Sequence, residues 1–380
     1  MNFDEIIPRH QTNSYKWDFY NDPTDTIPLW VADMDYRCSP AVLESQKLTT
    51  DHGVFGYAMC PNELKEVFVE RMQQLYNWEI KKEWLVWIPG LVPGLSNTIK
   101  TVCSQGSNYM IYTPVYHPFH LASGWMNTPF VSTEMIEIDN RYTLDFEAIE
   151  AEITPETKLF LLCNPHNPGG TVFKKDELMK LIEICEKHDI KICSDEIHCD
   201  LILDDKLKHI PTASLSDWAS ENTISLLSPS KTFNIAGFGC SVAVIKNENL
   251  RNAFVQSKEG MFPMISRQAY LAALAGYRDS ENWRIEMIKY LQKNHDYLVS
   301  ELNGFCGLKV NKLEATYLAW IDATATGMKD IGSQLLKNGV RVNDGPIFKG
   351  EGFFRVNFAC THETLKEGIQ RIKNTFEYPQ

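Results

Sequence analysis

The chain has no run of about 18 apolar residues, so no membrane-spanning helix is expected. Positive charge is scarce. Its 37 Lys and Arg stand against 49 Asp and Glu, for a formal net charge of −12. That balance argues against nucleic acid or an anionic membrane as the main partner. No Cys-x-x-Cys pair occurs among the 10 cysteines. Cys103, Cys163, Cys185, Cys193 and Cys240 sit in apolar runs, which suits buried, reduced thiols of a cytoplasmic protein rather than a disulfide framework. His117 and His120 are split by a proline, and Cys193, Asp195, His198 and Asp200 lack a second group of soft ligands, so no metal site is expected. The opening residues, Met1 to Ile7, are acidic and lack a basic stretch ahead of an apolar one. No secretory signal is expected there. Internal repeats and low-complexity tracts are absent too.

A length of 380 residues exceeds one typical core, so two domains are expected. Residues 1–45, rich in Pro, Asp and aromatics, read as an extended arm that packs with the small domain and the active site. Residues 46–275 alternate strand-like and helix-like runs, as a large α/β domain should. Residues 276–380 form a smaller C-terminal domain. It opens with an amphipathic helix over Glu281 to Leu302, has strands near Glu314–Ile321 and Phe353–Phe358, and ends in a helix from about His362. Strands of the large domain are expected at Tyr109–Thr113, Lys158–Cys163, Lys191–Ser194, Thr223–Leu227 and Cys240–Ile245.

The most informative run is Ser228-Pro229-Ser230-Lys231-Thr232-Phe233-Asn234-Ile235-Ala236-Gly237. A lysine just after small hydroxyl residues, in a tight turn, can form a Schiff base with an aldehyde while the hydroxyls hold a phosphate. Pyridoxal phosphate (PLP) carries both groups and supplies an electron sink that a bare protein lacks.

Upstream, the apolar run Lys158–Cys163 ends in Asn164-Pro165-His166-Asn167-Pro168-Gly169. A second, Lys191–Ser194, ends in Asp195-Glu196-Ile197-His198. Between them Leu178, Leu181, Ile182, Ile184 and Cys185 recur at helical spacing. Strand, helix, strand over about forty residues is a right-handed crossover in a parallel sheet. Ligands bind such sheets at the carboxyl ends of the strands. Asn167, Asp195 and Lys231 all fall there, so residues scattered in sequence converge in space.

The order Asn-Pro-x-Asn-Pro-Gly, Asp-x-x-His, Ser-x-Ser-Lys resembles the fold-type-I PLP enzymes, the aspartate aminotransferase superfamily (class I/II). Trp30-Val31-Ala32-Asp33-Met34-Asp35-Tyr36, Phe55-Gly56-Tyr57, Ser194–His198 and Ser230–Gly237 resemble its MalY/PatB-type cystathionine β-lyase branch. The resemblance implies a PLP-dependent transferase-like α/β fold, with a mostly parallel sheet in the large domain and a smaller α+β C-terminal domain. It also implies a cytoplasmic homodimer with shared active sites and PLP as cofactor.

Site roles follow from the residues and the resemblance together. Lys231 is the Schiff-base lysine and proton shuttle, and Asp195 the partner of the pyridine nitrogen. Asn167 and His198 meet the phenolic oxygen, and Tyr116 stacks on the ring. Pro89-Gly90-Leu91-Val92 leads into a helical run at Ser96–Ser104. Amides of Leu91 and Val92, with Ser228 and Ser230, are the phosphate candidates. Tyr57 would reach the phosphate of the neighbouring subunit. Arg355, a guanidinium in an apolar strand, suits an amino-acid α-carboxylate, and Ala32 and Asp33 would line the same pocket. Many aminotransferases carry an arginine eight residues after the lysine; here that place is Gly239. The reading is α,β-elimination from L-cystathionine or a related cysteine S-conjugate. An aminotransferase is the alternative, and a non-catalytic PLP-binding regulator a further one.

Overall fold

The computed structural model describes residues 1–378; the last two, which the sequence reading assigns to the C-terminal domain, lie outside the described residues. Seven strands build the large sheet: β1 (Leu85–Ile88), β2 (Asn108–Thr113), β3 (Phe130–Glu134), β4 (Thr157–Cys163), β5 (Lys191–Asp195), β6 (Thr223–Leu227) and β7 (Ser241–Val244). Their spatial order is β1-β7-β6-β5-β4-β2-β3. From β6 to β3 every pairing is parallel, while β7 runs antiparallel to both β1 and β6. Strands buried on both faces tend to read as continuous apolar runs, as Leu159–Cys163 does; Thr223–Leu227 is buried at every position but carries two hydroxyls, Thr223 and Ser225.

Alternate residues feed two cores. Leu226 and Ala243 join Ile88, Leu95 and Ile99 on one face. Leu227, Val242 and Val244 join Ala269, Ala272 and Ala273 on the other. Helix Leu91–Val102 therefore covers one side of the sheet and helix Arg267–Asp279 the other.

A four-stranded antiparallel sheet follows: β8 (Lys309–Val310), β9 (Leu318–Asp322), β10 (Asn343–Asp344) and β11 (Phe353–Asn357), in the order β8-β9-β11-β10. Helices Glu281–Leu302 and His362–Glu377 pack with it through Leu298, Leu302, Leu365 and Ile369. Both begin at the residues expected from their periodicity. The first residues of the chain lie across the two sheets. Ile27 and Pro28 pair in parallel with Val340 and Arg341, and the Asp35 N–H donates to the Ala359 carbonyl.

Two expectations shift. The helix expected over Ser96–Ser104 starts earlier, at Leu91, because Pro93 falls in its first turn, where a missing N–H costs nothing. The strand expected over Glu314–Ile321 begins only at Leu318. Thr316 has a φ of 76°, outside strand geometry, and the N–H groups of Glu314 and Ala315 both donate to the Gly170 carbonyl. That stretch crosses to the large sheet instead of extending the small one.

The Lys231 turn is propped from behind by Phe233, which is fully buried. Its ring lies 5.9 Å from Tyr277 and 6.5 Å from Trp283. A Cβ added at Gly276 would fall 2.9 Å from the same ring, so helix backbone sits directly against it. Phe233→Ala should therefore cost about 3–5 kcal/mol, the usual range for emptying a buried aromatic site. The urea unfolding midpoint measures it; a loss under about 1 kcal/mol would show that the ring is not the prop.

Candidate active site

Register puts the central groups side by side. Cys163, Asp195 and Leu226 face one another across β4, β5 and β6. Asn167 and Lys231 each lie four residues past the end of their strand. Together with Ala32, Tyr116 and the start of helix Leu91–Val102 they enclose a cavity of about 230 Å³. That is smaller than the roughly 300–1,000 Å³ of pockets for drug-sized ligands, and suits one small ring compound.

Lys231 Nζ reaches into this cavity and donates to the Ala32 carbonyl at 2.7 Å. Burial disfavours its ammonium form and Arg355 repels it. Asp33 and Asp195 pull the other way, and the amine settles at about 8. Its turn is fixed by backbone: Phe233 N–H donates to Pro229 O at 2.9 Å and Ile235 N–H to Ser230 O at 3.0 Å. Ser230 lines the cavity. Ser228 does not. Its hydroxyl donates to the Cys240 carbonyl and accepts from the Ser230 N–H, so it braces the loop.

Asp195 is pushed up to about 7, chiefly by burial, with Glu196 adding to the rise. Its Oδ1 accepts only the Ile197 N–H, at 3.1 Å. This carboxylate is desolvated and lacks a bonded cation. His198 is pushed down to about 3 by burial and by the nearby Lys231 and Arg355 charges, so its ring is neutral. Its Nδ1 is buried without a hydrogen-bond partner. The N–H groups of Leu91 and Val92 open their helix with no intrahelical acceptor, and Pro93 has none to offer.

Arg355 is 3% exposed, on β11. Its Nη1 donates to Asn167 Oδ1 at 2.8 Å and its Nη2 to Trp30 O at 3.1 Å. The guanidinium lies 4.6 Å from the Phe348 ring centre. Nε has no partner, and burial lowers the group to about 10. Among the described residues no carboxylate pairs with it.

Tyr57 also lies outside the cavity and is 95% exposed. Asp33 flanks the cavity, paired with Arg9 and close to Lys16. Several positioning groups carry no sequence signal of their own. Tyr317 donates to Ala32 O at 3.0 Å. Asn234, with φ 56°, binds Met34 through both N–H and carbonyl. Asn357 donates to Asp33 O. Only Asn357 was findable, since it lies two residues from Arg355 on the same strand face.

The family model for aminotransferase class I and II matches residues 24–372. The chain belongs to that family. Among its relatives, cystathionine beta-lyase PatB of Bacillus subtilis (strain 168) is 36% identical, with 98% of this chain and 99% of PatB covered. The crystal structure of OvoB matches at a TM-score of 0.97 and 39% identity over 100% of both chains. That of cystalysin from Treponema denticola, which contains a pyridoxal 5′-phosphate cofactor, matches at 0.95 and 32% identity, covering 100% of this chain and 99% of its own. The fold is that of the fold-type-I PLP enzymes. The cavity of this family member fits such a group. Among the described residues Asp195 has no bonded cation and His198 Nδ1 no partner, two helix-start amides are free for a phosphate, and burial lowers Lys231 toward its free-amine form.

The Lys231 value has a direct consequence. Only the free amine reacts with acylating reagents, and burial favours that form. In the cofactor-free chain, labelling of Lys231 by trinitrobenzenesulfonate should rise with pH through a midpoint near 8, read by peptide mapping. A midpoint near the usual 10.4 of lysine would refute the site's desolvation.

Proposed function

We propose that this chain is a PLP-dependent carbon–sulfur β-lyase. It acts on L-cystathionine or a related cysteine S-conjugate and releases a thiol, pyruvate and ammonia. One observation carries the reading: Arg355 is a buried guanidinium with no carboxylate of its own, held beside Asn167 and the Lys231 cavity. A planar fork in that state suits the α-carboxylate of an amino acid. Bound PLP supplies the electron sink that makes the α-proton acidic.

The chain's own residues do the positioning and the proton work. Lys231 anchors the cofactor and, once freed, takes the α-proton; at about 8 a useful share of its amine is unprotonated near neutral pH. Ala32 O accepts one of its N–H groups and so orients the lone pair. Asp195 would pair with the pyridine nitrogen and keep it protonated. Asn167 and neutral His198 would serve the phenolic oxygen, and Tyr116 would stack on the ring. Leu91, Val92 and Ser230 would hold the phosphate, with Ser228 bracing Ser230. Ala32 and Asp33 border the substrate. Tyr57, exposed in the single chain, would serve the phosphate of a second subunit in a homodimer.

The relatives' names support elimination, and Gly239 supports it too. Gly239 has a φ of 63°, and a Cβ there would meet Pro89 O at 2.8 Å. An arginine at this place would need the backbone to move. An aminotransferase remains the second reading, on the family's own description. A cytoplasmic setting accords with ten free cysteines. With cystathionine as substrate the thiol is homocysteine, which would place the step in methionine biosynthesis. Residues 46–275 and 276–380 would be the two domains that carry the site between them, with 1–45 as the arm.

The decisive assay is turnover of L-cystathionine without any 2-oxo acid. Steady release of pyruvate and thiol is expected. Turnover that requires an oxo acid and yields no thiol would establish transamination instead. Arg355→Ala should lose roughly 2–5 kcal/mol in kcat/KM, as for truncating one partner of a desolvated charge pair. A loss under tenfold would remove Arg355 from the substrate site.

A further inference from the structure

Away from the active site lies an open cavity of about 560 Å³. Four lysines rim it: Lys174 and Lys175 at the start of helix Lys175–Lys187, and Lys206 and Lys208 on the loop ahead of His209. No carboxylate lines it. None of the four lysines forms an ion pair among the described residues. In a chain of net charge −12 this is a local reversal of sign. Nearby carboxylates are engaged elsewhere. Glu177 binds Arg141 and Thr143, Asp204 caps the Lys206 N–H, and Asp205 accepts from Gln292.

The core beneath sets the floor of this cavity. His209 lines the same cavity and is 3% exposed. Its Nε2 is committed to Glu196 at 2.9 Å, while its Nδ1 is buried with no partner. Tyr76, Leu207 and Ile210, each partly exposed, give the cavity apolar walls between the lysines. Four ammonium groups over apolar walls suit a compact, multiply charged anion with an organic body.

We propose that this cavity is a binding site for a small molecule bearing a phosphate or pyrophosphate group. The lysine rim takes the charge, and the Tyr76, Leu207 and Ile210 walls take the body. This site is separate from the active-site reading and does not depend on it.

Inorganic pyrophosphate titrated calorimetrically into the holoenzyme at low ionic strength tests it. Cofactor already in the active site prevents competition there. One site per chain is expected. Lys174→Gln with Lys208→Gln should weaken it roughly fivefold or more, since each exposed ammonium contributes modestly. Lys174→Arg with Lys208→Arg should retain binding. Lys47→Gln with Lys329→Gln, which removes two exposed lysines elsewhere, should leave it unchanged. No saturable binding would overturn the proposal. Equal weakening by the Lys47/Lys329 pair would do the same, because it would mark general surface charge rather than a site.

Discussion

The arrangement around Arg355 is the constraint on which the rest of the site depends. A guanidinium buried without a counter-charge is costly, and it persists only when its hydrogen-bonding groups are met. Here Asn167 meets it from the loop after β4, and Trp30 meets it from the N-terminal segment. Three parts of the chain far apart in sequence are thereby drawn to one point. The same segment is gripped residue by residue. Trp30 O also accepts from Asn343, Val31 O and Asp33 O from Asn357, and Ala32 O from both Tyr317 and Lys231. Four successive carbonyls are spent on side chains from the small sheet, from Tyr317 just ahead of it, and from the lysine loop. The arm has almost no regular structure, yet its backbone has nowhere else to go.

This explains how the titratable groups reach compatible states. Burial alone pushes Lys231 and His198 toward neutrality and Asp195 toward its protonated form. Arg355 reinforces the first two through charge repulsion. Burial thus shifts each of these three groups toward its neutral form, while Arg355 keeps its charge. Such a site favours a ligand that brings a cation toward Asp195 and anions toward Arg355 and the helix start.

Much of this was legible beforehand, for a physical reason. Strand-end residues in a parallel sheet converge by topology, so Asn167, Asp195 and Lys231 could be placed from hydrophobic runs and crossover spacing alone. Arg355 stood out as a charge in an apolar strand. Less legible was anything held by backbone. Tyr317 and Asn234 act by binding main-chain atoms of the arm, and no periodicity announces such a partner. The same blindness affected Ser228. It has the right chemistry for a phosphate, but its hydroxyl is taken by Cys240 O, a pairing set by the return of β7 beside β6. Tyr57 illustrates a further limit, since a residue proposed to work in a second subunit looks idle in one chain.

Behind Asp195 the polar core is tied down in the opposite direction. Side chains alternate along β5, so Ser194 and Glu196 point away from the cavity while Asp195 faces it. The Glu196 carboxylate accepts from Ser194 Oγ at 2.8 Å, Thr212 N–H at 3.1 Å and His209 Nε2 at 2.9 Å. Tyr76 packs edge-on against His209 and bonds Asp200, which pairs with Arg71, which pairs with Glu281. A buried carboxylate with three donors has few other conformations open to it. Rotation of the strand end would break these bonds before it freed Asp195, so the direction of its carboxylate is set by its neighbours on the far face. The polar chain then continues to helix Glu281–Leu302, which packs with the small sheet that carries Arg355. Asp195 and Arg355, at the two ends of the site, are thereby referenced to one helix as well as to the N-terminal segment.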